Sequence, residues 1–314
     1  MRKTKVMSAS EAVKKYINDG MTVSAGGFYH CISYALTHEI IRQKKKKLSI
    51  CQASFSILAD QLIGAGCVDR IISSYCWMEV FGPCYAFRRA IEKQIPHKVE
   101  IEDYTNFAMI ARFFAGSVGI PYLPLNTIKG SDMVDCTSLM KENKLKVMKD
   151  PFGSDIENVV VPALKPDVGY MHAQRADEYG NVQMWGILGD YPWSMRSCKE
   201  VIVTVEEIVS RDSIGRDPNR TIIPGYKVVA VVPEPFGAHP KPVQGFYDAD
   251  KEFIFNYIKE SRTESGWKNF MEKWVYDIDD RTEYIKKYKD TFGEKKYLNL
   301  KANDLTAGEV NYGF

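Results

Sequence analysis

Short apolar runs alternate with amphipathic stretches along most of the chain, and this alternation predicts an α/β fold with helices on the faces of a sheet. Ser8 and Glu11 form a capping box that begins the first helix, and Asp19-Gly20 separates that helix from a strand. The same patterns predict helices at residues 34–43, 58–63, 85–92 and 107–118, and strands at residues 21–25, 48–53, 70–75, 159–163, 168–172, 200–205 and 226–232. All these β-rich runs are expected to join one large sheet.

The pattern changes near residue 250 to charged, amphipathic helical segments with large aromatic side chains, among them Phe253, Trp267 and Trp274. No linker rich in glycine, serine or proline precedes these segments, and no repeat of solenoid length occurs. We therefore expect residues 1–250 to form one α/β domain and residues 251–314 to form a helical C-terminal extension packed on it.

Composition limits the kinds of partner that need to be considered. Of the 314 residues, 45% are hydrophobic and 26% are charged, which is typical of a globular protein with a substantial core. The formal net charge of +2 is too small to indicate a nucleic-acid partner. The one basic run, residues 44–47, follows a helical segment and is interpreted as a solvated helix end.

The seven cysteines are odd in number and show no paired CxxC spacing, so neither a zinc site nor a disulfide framework is predicted. No apolar run has the length of a membrane span, and no charged-then-apolar leader follows Met1. We expect a cytoplasmic protein with reduced thiols, no membrane contact, no metal and no tightly bound cofactor.

The segment DGMTVSAGGF, residues 19–28, joins a predicted strand directly to the adjacent glycines Gly26 and Gly27. Glycines tolerate positive φ and have no Cβ, so the main chain here can approach a ligand closely and present bare N–H groups. The structural alternative is a plain strand-to-loop turn. Phe28, Tyr29 and His30 follow directly and would line whatever binds there.

This segment resembles the signature of the A-type subunits of the class I coenzyme A transferases, in which Gly-Gly-Phe is followed a few residues later by a Gly and a Pro. The resemblance is closest to the alpha subunits of the glutaconate CoA-transferases and extends over most of the chain. It implies an open, mostly parallel sheet flanked by helices. The later matching segments are AFRRAIE (86–92), GIPYLP (119–124), DPF (150–152), HAQRADEYGNVQMWG (172–186), VTVEEIV (203–209), RDPNRTIIPG (216–225) and FGAHP (236–240).

Two departures from the family pattern bear on function. Ile32 and Tyr34 stand where the signature has a second Gly and a Pro, so the loop is bulkier and a different acyl group is expected. The Glu-Asn-Gly motif that carries the family's nucleophile is absent. The resemblance therefore implies a separate B-type CoA-transferase subunit that supplies this glutamate, an A2B2 heterotetramer, and acyl-CoA and carboxylate substrates, with coenzyme A itself as a substrate. It also implies that Gly26, Gly27, Phe28, Tyr29 and His30 line the acyl pocket.

Five further residues are candidates for substrate binding or for the subunit interface. Glu79 lies after a predicted strand, where open α/β sheets bind ligands, although an acid at the start of a surface helix is the structural alternative. Arg88 and Arg89 carry forked donors that suit a substrate carboxylate or the CoA phosphates, or else form solvated or interface ion pairs. Gly130 and Ser131 offer a small-residue approach to the substrate.

His172 and Gln174 lie at the end of a predicted buried strand, and His239 lies in the turn formed by residues 237–240. Both histidines are candidate acids or bases near neutral pH. The alternative is that each hydrogen-bonds a turn and holds the rim of the site or the subunit interface. We favour this structural role, because the carboxylate chemistry needs no second base.

Three other functions remain open at this point. Some relatives of this fold lack the nucleophilic glutamate and hydrolyse cyclic β-dicarbonyl acyl-CoA rings, and the partner's sequence would distinguish them. A second alternative is a non-catalytic chain that binds CoA. The third is a dinucleotide-binding oxidoreductase, which is disfavoured because the third glycine of the fingerprint and the later acidic residue are missing.

Overall fold

The computed structural model describes residues 3–27, 29–134 and 145–302. Its strands form a nine-stranded sheet and a separate three-stranded sheet. In chain order the strands are β1 (Thr22–Ala25), β2 (Leu48–Cys51), β3 (Val68–Ser73), β4 (Glu100–Asp103), β5 (Tyr122–Leu125), β6 (Lys146–Lys149), β7 (Glu157–Pro162), β8 (Val168–Ala176), β9 (Val182–Gln183), β10 (Glu200–Ile208), β11 (Thr221–Ile223) and β12 (Val228–Pro233).

Helices cover the faces of the large sheet, as the sequence pattern predicts. In chain order they are α1 (Ala9–Tyr16), α2 (Tyr34–Arg42), α3 (Ile57–Gly64), α4 (Tyr85–Lys93), α5 (Asn106–Val118), α6 (Tyr191–Ser197), α7 (Arg211–Arg216), α8 (Lys251–Ser261), α9 (Glu264–Met271), α10 (Arg281–Phe292) and α11 (Glu294–Leu300). Shorter 3-10 turns span Pro218–Arg220 and Gly225–Lys227, and a π-helical turn spans Glu272–Tyr276. The capping box of Ser8 and Glu11 is formed at the start of α1.

The strand order of the large sheet reverses between β1 and β8. From β1 the chain proceeds in one direction through β2, β3 and β4, and from β8 it proceeds in the other direction through β10 and β12. All these pairings are parallel, while the short strands β9 and β11 pair antiparallel beside the end of β8. The predicted open, mostly parallel α/β sheet is confirmed. Such a reversal creates a crevice at the carboxyl ends of the two central strands.

The prediction that residues 159–163 join the large sheet is wrong. They belong to β7, which pairs antiparallel with β5 and β6 in the small sheet. Val159 and Val161 are buried while Val160 is only partly buried, so this strand covers a core with one face, unlike β10, in which residues 201–205 are all buried. The sequence shows no such alternation, because residues 159–161 are all valine. The small sheet packs with α5 around a second apolar cluster that includes Phe113 and Leu125.

The C-terminal helices pack on the sheet through aromatic side chains. Phe253, Trp274 and Tyr288 are buried and form mutual ring contacts with centroids 4.9–6.5 Å apart. They belong to the same apolar cluster as the sheet residues Val23 and Ile50. The division of the chain at residue 250 stays a prediction. Among the described residues, none of the helices is both long and apolar enough to cross a membrane.

Candidate active site

Gly26 and Gly27 lie at the carboxyl end of β1, on the crevice side of the strand reversal. The N–H of Gly26 continues the strand ladder by donating to the Tyr170 carbonyl on β8. Gly27 is buried, and no hydrogen bond within the described ranges uses its N–H. A buried main-chain donor without an acceptor is rare in folded proteins. It points to a ligand or a partner as the missing acceptor.

Tyr191, the first residue of α6, explains why both positions are glycine. A Cβ on Gly26 would lie 2.6 Å from the Tyr191 ring, and a Cβ on Gly27 would overlap the Tyr191 hydroxyl oxygen. Gly27 also has a φ of +96°, which strains any other residue. The Tyr191 hydroxyl lies 2.6 Å from the Cys31 carbonyl oxygen, to which it donates a hydrogen bond. Tyr191 therefore fixes the loop that follows β1 at two places: its ring packs against Gly26 and Gly27, and its hydroxyl bonds the Cys31 carbonyl.

His30 holds this loop through both of its ring nitrogens. Nδ1 lies 3.2 Å from the Ile187 carbonyl oxygen and Nε2 accepts from the Gln244 N–H at 2.9 Å, which fixes a neutral ring with its proton on Nδ1. Burial lowers the pKa of His30 to about 4. With both nitrogens occupied by main-chain groups, His30 positions the loop and has no free nitrogen for proton transfer.

His30 should therefore remain uncharged when the pH falls from about 7.5 to about 5.5, while a histidine in the unfolded chain, with a pKa of about 6.5, takes up a proton. Because the unfolded state binds this extra proton, the His30 contribution to the free energy of unfolding falls as the pH drops from 6.5 to 4. NMR of the His30 ring should show constant chemical shifts across the higher range. A midpoint near 6.5 would contradict the buried, neutral assignment.

His172 and Gln174 lie on β8 directly beneath the loop. His172 is fully buried, its Nε2 lies 2.8 Å from a Glu206 carboxylate oxygen, and its Nδ1 lies 2.9 Å from the Thr204 hydroxyl. The main-chain N–H of His172 donates to the Cys31 carbonyl. The Gln174 amide donates to the carbonyls of Trp185 and Gln244. The Gln174 side chain therefore bonds main chain beside the loop, and His172 contacts the loop through its main-chain N–H. The role of both residues at the rim of the site or the subunit interface stays a prediction.

Glu206 is the centre of this buried network. Burial raises the pKa of its carboxyl, but hydrogen bonds from His172, the Phe236 N–H and the Tyr247 hydroxyl outweigh that effect and the net shift is downward. Phe236 has a φ of +63° and Cys31 a φ of +55°, conformations that cost energy for residues with a Cβ. Strained main chain held by buried hydrogen bonds is typical of functional sites.

Glu79 reaches the same region from the segment after β3. It is not an acid at a helix start: it has a φ of +48° in a tight turn, where the Met78 N–H donates to the Gly82 carbonyl and the Phe81 N–H donates to the Met78 carbonyl. Its carboxylate is buried and lies 2.6 Å from the ammonium of Lys241, which has no exposed side-chain surface. The Lys241 ammonium lies 4.7 Å from the centroid of the Tyr29 ring. Burial lowers the pKa of Lys241 although Glu79 opposes the shift.

The other predicted residues lie outside this cluster. Arg88 forms an exposed ion pair with Glu92 one helical turn along α4, and Arg89 donates to the Ser261 carbonyl at the end of α8. His239 is buried between Tyr284 and Asp250, where burial lowers its pKa to about 4. All three positions are therefore accounted for by contacts within the fold.

Gly130 and Ser131 lie in an exposed turn after β5, where the Ser131 hydroxyl donates to the Ile128 carbonyl. Their part in substrate binding stays a prediction. Phe28 lies outside the described residues. Among the described residues, no three metal-ligating side chains form a cluster.

Ile32 and Tyr34 both belong to the core, with at most 1% of their surface exposed. Their side chains therefore pack in the core and do not face solvent. Tyr34 begins α2, and its buried hydroxyl has no hydrogen-bond partner within the described ranges. Burial and the nearby Glu79 carboxylate raise its pKa far above the ordinary value.

Sequence reasoning missed Tyr191, Glu206 and Lys241. Tyr191 and Gly26 are 165 positions apart in the chain, and Lys241 and Glu79 are 162 apart. Lys241 had one local signal, because it directly follows the FGAHP segment that carries the resemblance. Glu206 lies inside the matching segment 203–209, and Tyr191 had no such signal.

The chain matches the family model described as "Coenzyme A transferase" over residues 6–234. It is 34% identical to the A-type subunit of a 3-oxoadipate CoA-transferase from Pseudomonas knackmussii over 89% of this chain and 96% of the relative. It is also 34% identical to the A-type subunit of a glutaconate CoA-transferase from Acidaminococcus fermentans over 95% of each. An uncharacterized protein from Archaeoglobus fulgidus is 40% identical over 90% of this chain, which spans only 61% of that protein's length.

The fold gives the same result. The crystal structure of glutaconate coenzyme A-transferase from Acidaminococcus fermentans superposes with a TM-score of 0.88 at 32% identity, over 96% of both chains. The resemblance to the A-type subunits of the CoA-transferases is confirmed. This polypeptide belongs to the coenzyme A transferase family.

Proposed function

We propose that this chain is the A-type subunit of a heteromeric CoA-transferase, which moves CoA from an acyl-CoA to a carboxylic acid. The observation that carries the proposal is the buried Gly27 N–H, which has no acceptor among the described residues and lies where open sheets bind ligands. Family membership names the acyl-CoA thioester as the class of substrate.

The proposal requires a second chain. The relatives of known function are named as A-type subunits, and this sequence lacks the Glu-Asn-Gly motif that carries the nucleophile in the family. We therefore assign the nucleophilic glutamate to a B-type subunit, and two copies of each chain to the complex. Acyl-CoA and the acceptor carboxylate are its substrates, no further cofactor is needed, and the cytoplasm is the proposed location.

The chemistry proceeds through two covalent intermediates. The carboxylate of the B-type subunit attacks the thioester carbonyl, the thiolate of CoA leaves, and a mixed anhydride forms. The thiolate then attacks the glutamyl carbonyl, which releases the first carboxylic acid and leaves a glutamyl-CoA thioester. The acceptor carboxylate repeats these steps in reverse order. Each attack passes through a tetrahedral oxyanion, and carboxylates are weak nucleophiles that depend on positioning.

This chain contributes a rigid main-chain wall to the reaction. Gly26 and Gly27 approach closely because they have no Cβ, and we assign Tyr29 to the wall of the acyl pocket. A fixed N–H directed at the oxyanion is worth about 3–4 kcal/mol in the transition state. Tyr191, His30 and the His172–Glu206 pair hold the loop, so little reorganisation is needed during the reaction.

The test is trapping of the enzyme thioester. The chain is co-expressed with its B-type subunit, incubated with a panel of acyl-CoA donors, and treated with borohydride, which reduces the glutamyl thioester to an alcohol that mass spectrometry locates on one peptide. We expect this peptide to belong to the B-type subunit and to form only with a competent donor.

Two results would overturn the proposal. A complex that opens a cyclic β-dicarbonyl acyl-CoA with water and gives no trapped peptide is a hydrolase. A chain that binds acyl-CoA tightly alone and gains no activity with the B-type subunit is a binding protein. The matched control is the B-type subunit alone with the same donors, which should give no adduct.

A further inference from the structure

The Glu79–Lys241 pair is a charge-compensated unit beside the glycine loop. The two side chains are 8% and 0% exposed and lie 2.6 Å apart, so each charge is neutralised within the protein. A buried pair of this kind is stable only while both partners remain. The strained turn at Glu79 directs its carboxylate inward to Lys241 and leaves Val80 at the exposed tip.

Two aromatic rings lie close to the ammonium of this pair. The Lys241 ammonium lies 4.7 Å from the Tyr29 ring centroid and 5.5 Å from the Phe81 ring centroid. Tyr29 is partly exposed and lies two positions after Gly27. Burial and the carboxylates of Glu79 and Asp248 raise the pKa of the Tyr29 hydroxyl, so this hydroxyl stays neutral.

The cations that the sequence offered as carboxylate binders are engaged elsewhere. Arg88 pairs with Glu92, and Arg89 donates to the Ser261 carbonyl. In an acyl subsite beside Tyr29, a second carboxylate of the substrate would therefore find the nearby cation, Lys241, buried and already neutralised by Glu79. Its desolvation would go uncompensated.

We propose that Glu79 makes the acyl subsite of this enzyme selective for uncharged acyl groups and against dicarboxylic ones, by neutralising Lys241. This inference rests on the proposed CoA-transferase function. It predicts a substrate class different from that of the two relatives, whose names refer to the dicarboxylic acids glutaconate and 3-oxoadipate.

The test compares kcat/KM for two uncharged donors, phenylacetyl-CoA and 3-methylbutyryl-CoA, with that for glutaryl-CoA in the complex with the B-type subunit. The wild type should prefer the uncharged donors. Glu79→Gln keeps the shape of the side chain and leaves the charge of Lys241 without its partner. The ratio of kcat/KM for glutaryl-CoA to kcat/KM for the uncharged donors should therefore rise by about tenfold or more, as expected for one unscreened charge contact. Adding Lys241→Met to Glu79→Gln should restore the preference of the wild type.

Glu264→Gln is the matched control, because it removes one carboxylate from an exposed ion pair on α9 and should leave the ratio unchanged. If Glu79→Gln does not fold, the double variant contains no unpaired charge and tests the inference alone. The inference is overturned if the wild type prefers glutaryl-CoA, or if the double variant does. Absence of transfer from every donor, with no trapped thioester, overturns the proposed function itself.

Discussion

Gly27→Ala should lower the rate of CoA transfer by about a hundredfold or more, the loss that follows removal of an oxyanion donor. The new methyl group would overlap the Tyr191 hydroxyl, and the φ of +96° would be strained. Because Tyr191 is fully buried and hydrogen-bonded to the Cys31 carbonyl, the loop moves and not the ring. The measurement is the single-turnover rate of thioester formation with the B-type subunit.

Gly20→Ala separates the loop effect from simple backbone strain. Gly20 has a φ of +80° but no atom near the place of a Cβ, so its variant should lose stability and keep its transfer rate. Tyr191→Phe removes only the hydroxyl that ties the loop and should lie between the two variants in rate. Size-exclusion chromatography should show an assembled complex for all three. A Gly27→Ala enzyme with the wild-type rate would show that this N–H is not used.

The close main-chain packing at Gly26 and Gly27 could be predicted from sequence, because glycine marks a position with no room for a Cβ. A Gly-Gly pair directly after a strand specifies close approach without reference to any distant residue. Tyr191, which fixes this main chain, carries no such signal. Tyr191 resembles any aromatic residue near a helix start, and its role depends on a contact 165 positions away. Local patterns identify the closely packed main chain, while long-range packing selects the residues that hold it.

Glu79 is a second residue whose environment could not be predicted from local sequence patterns. Its place after β3 predicted a residue near the site, but the structural alternative, a surface acid, is contradicted by the buried pair with Lys241. The Glu79 carboxylate points inward because Glu79 has a left-handed φ and because Lys241, which follows β12 in the chain, lies beside it. Neither is encoded by the spacing of apolar residues. The strand run at residues 159–163 was misplaced for the related reason that a strand pattern does not name its partner strands.

Glu206→Ala should lower the free energy of unfolding by about 3–5 kcal/mol, because it removes one partner of a buried network. The His172 ring, the Phe236 N–H and the Tyr247 hydroxyl would each lose an acceptor in the interior. Urea denaturation followed by circular dichroism measures this loss. Glu264→Gln, at an exposed ion pair, is the control and should change the same quantity by less than about 1 kcal/mol.

The pH dependence distinguishes the charge of Glu206 from its packing. The folded protein lowers the pKa of this carboxyl, so its stabilising contribution is complete above the unfolded value of about 4.3 and is lost as the pH falls toward the folded value. The difference in unfolding free energy between wild type and Glu206→Ala should therefore shrink below a pH of about 4.3. If the difference in unfolding free energy stays constant on acidification, the whole effect comes from the cavity left by the side chain. The ionised Glu206 carboxylate would then not stabilise the network that it forms with His172, Phe236 and Tyr247.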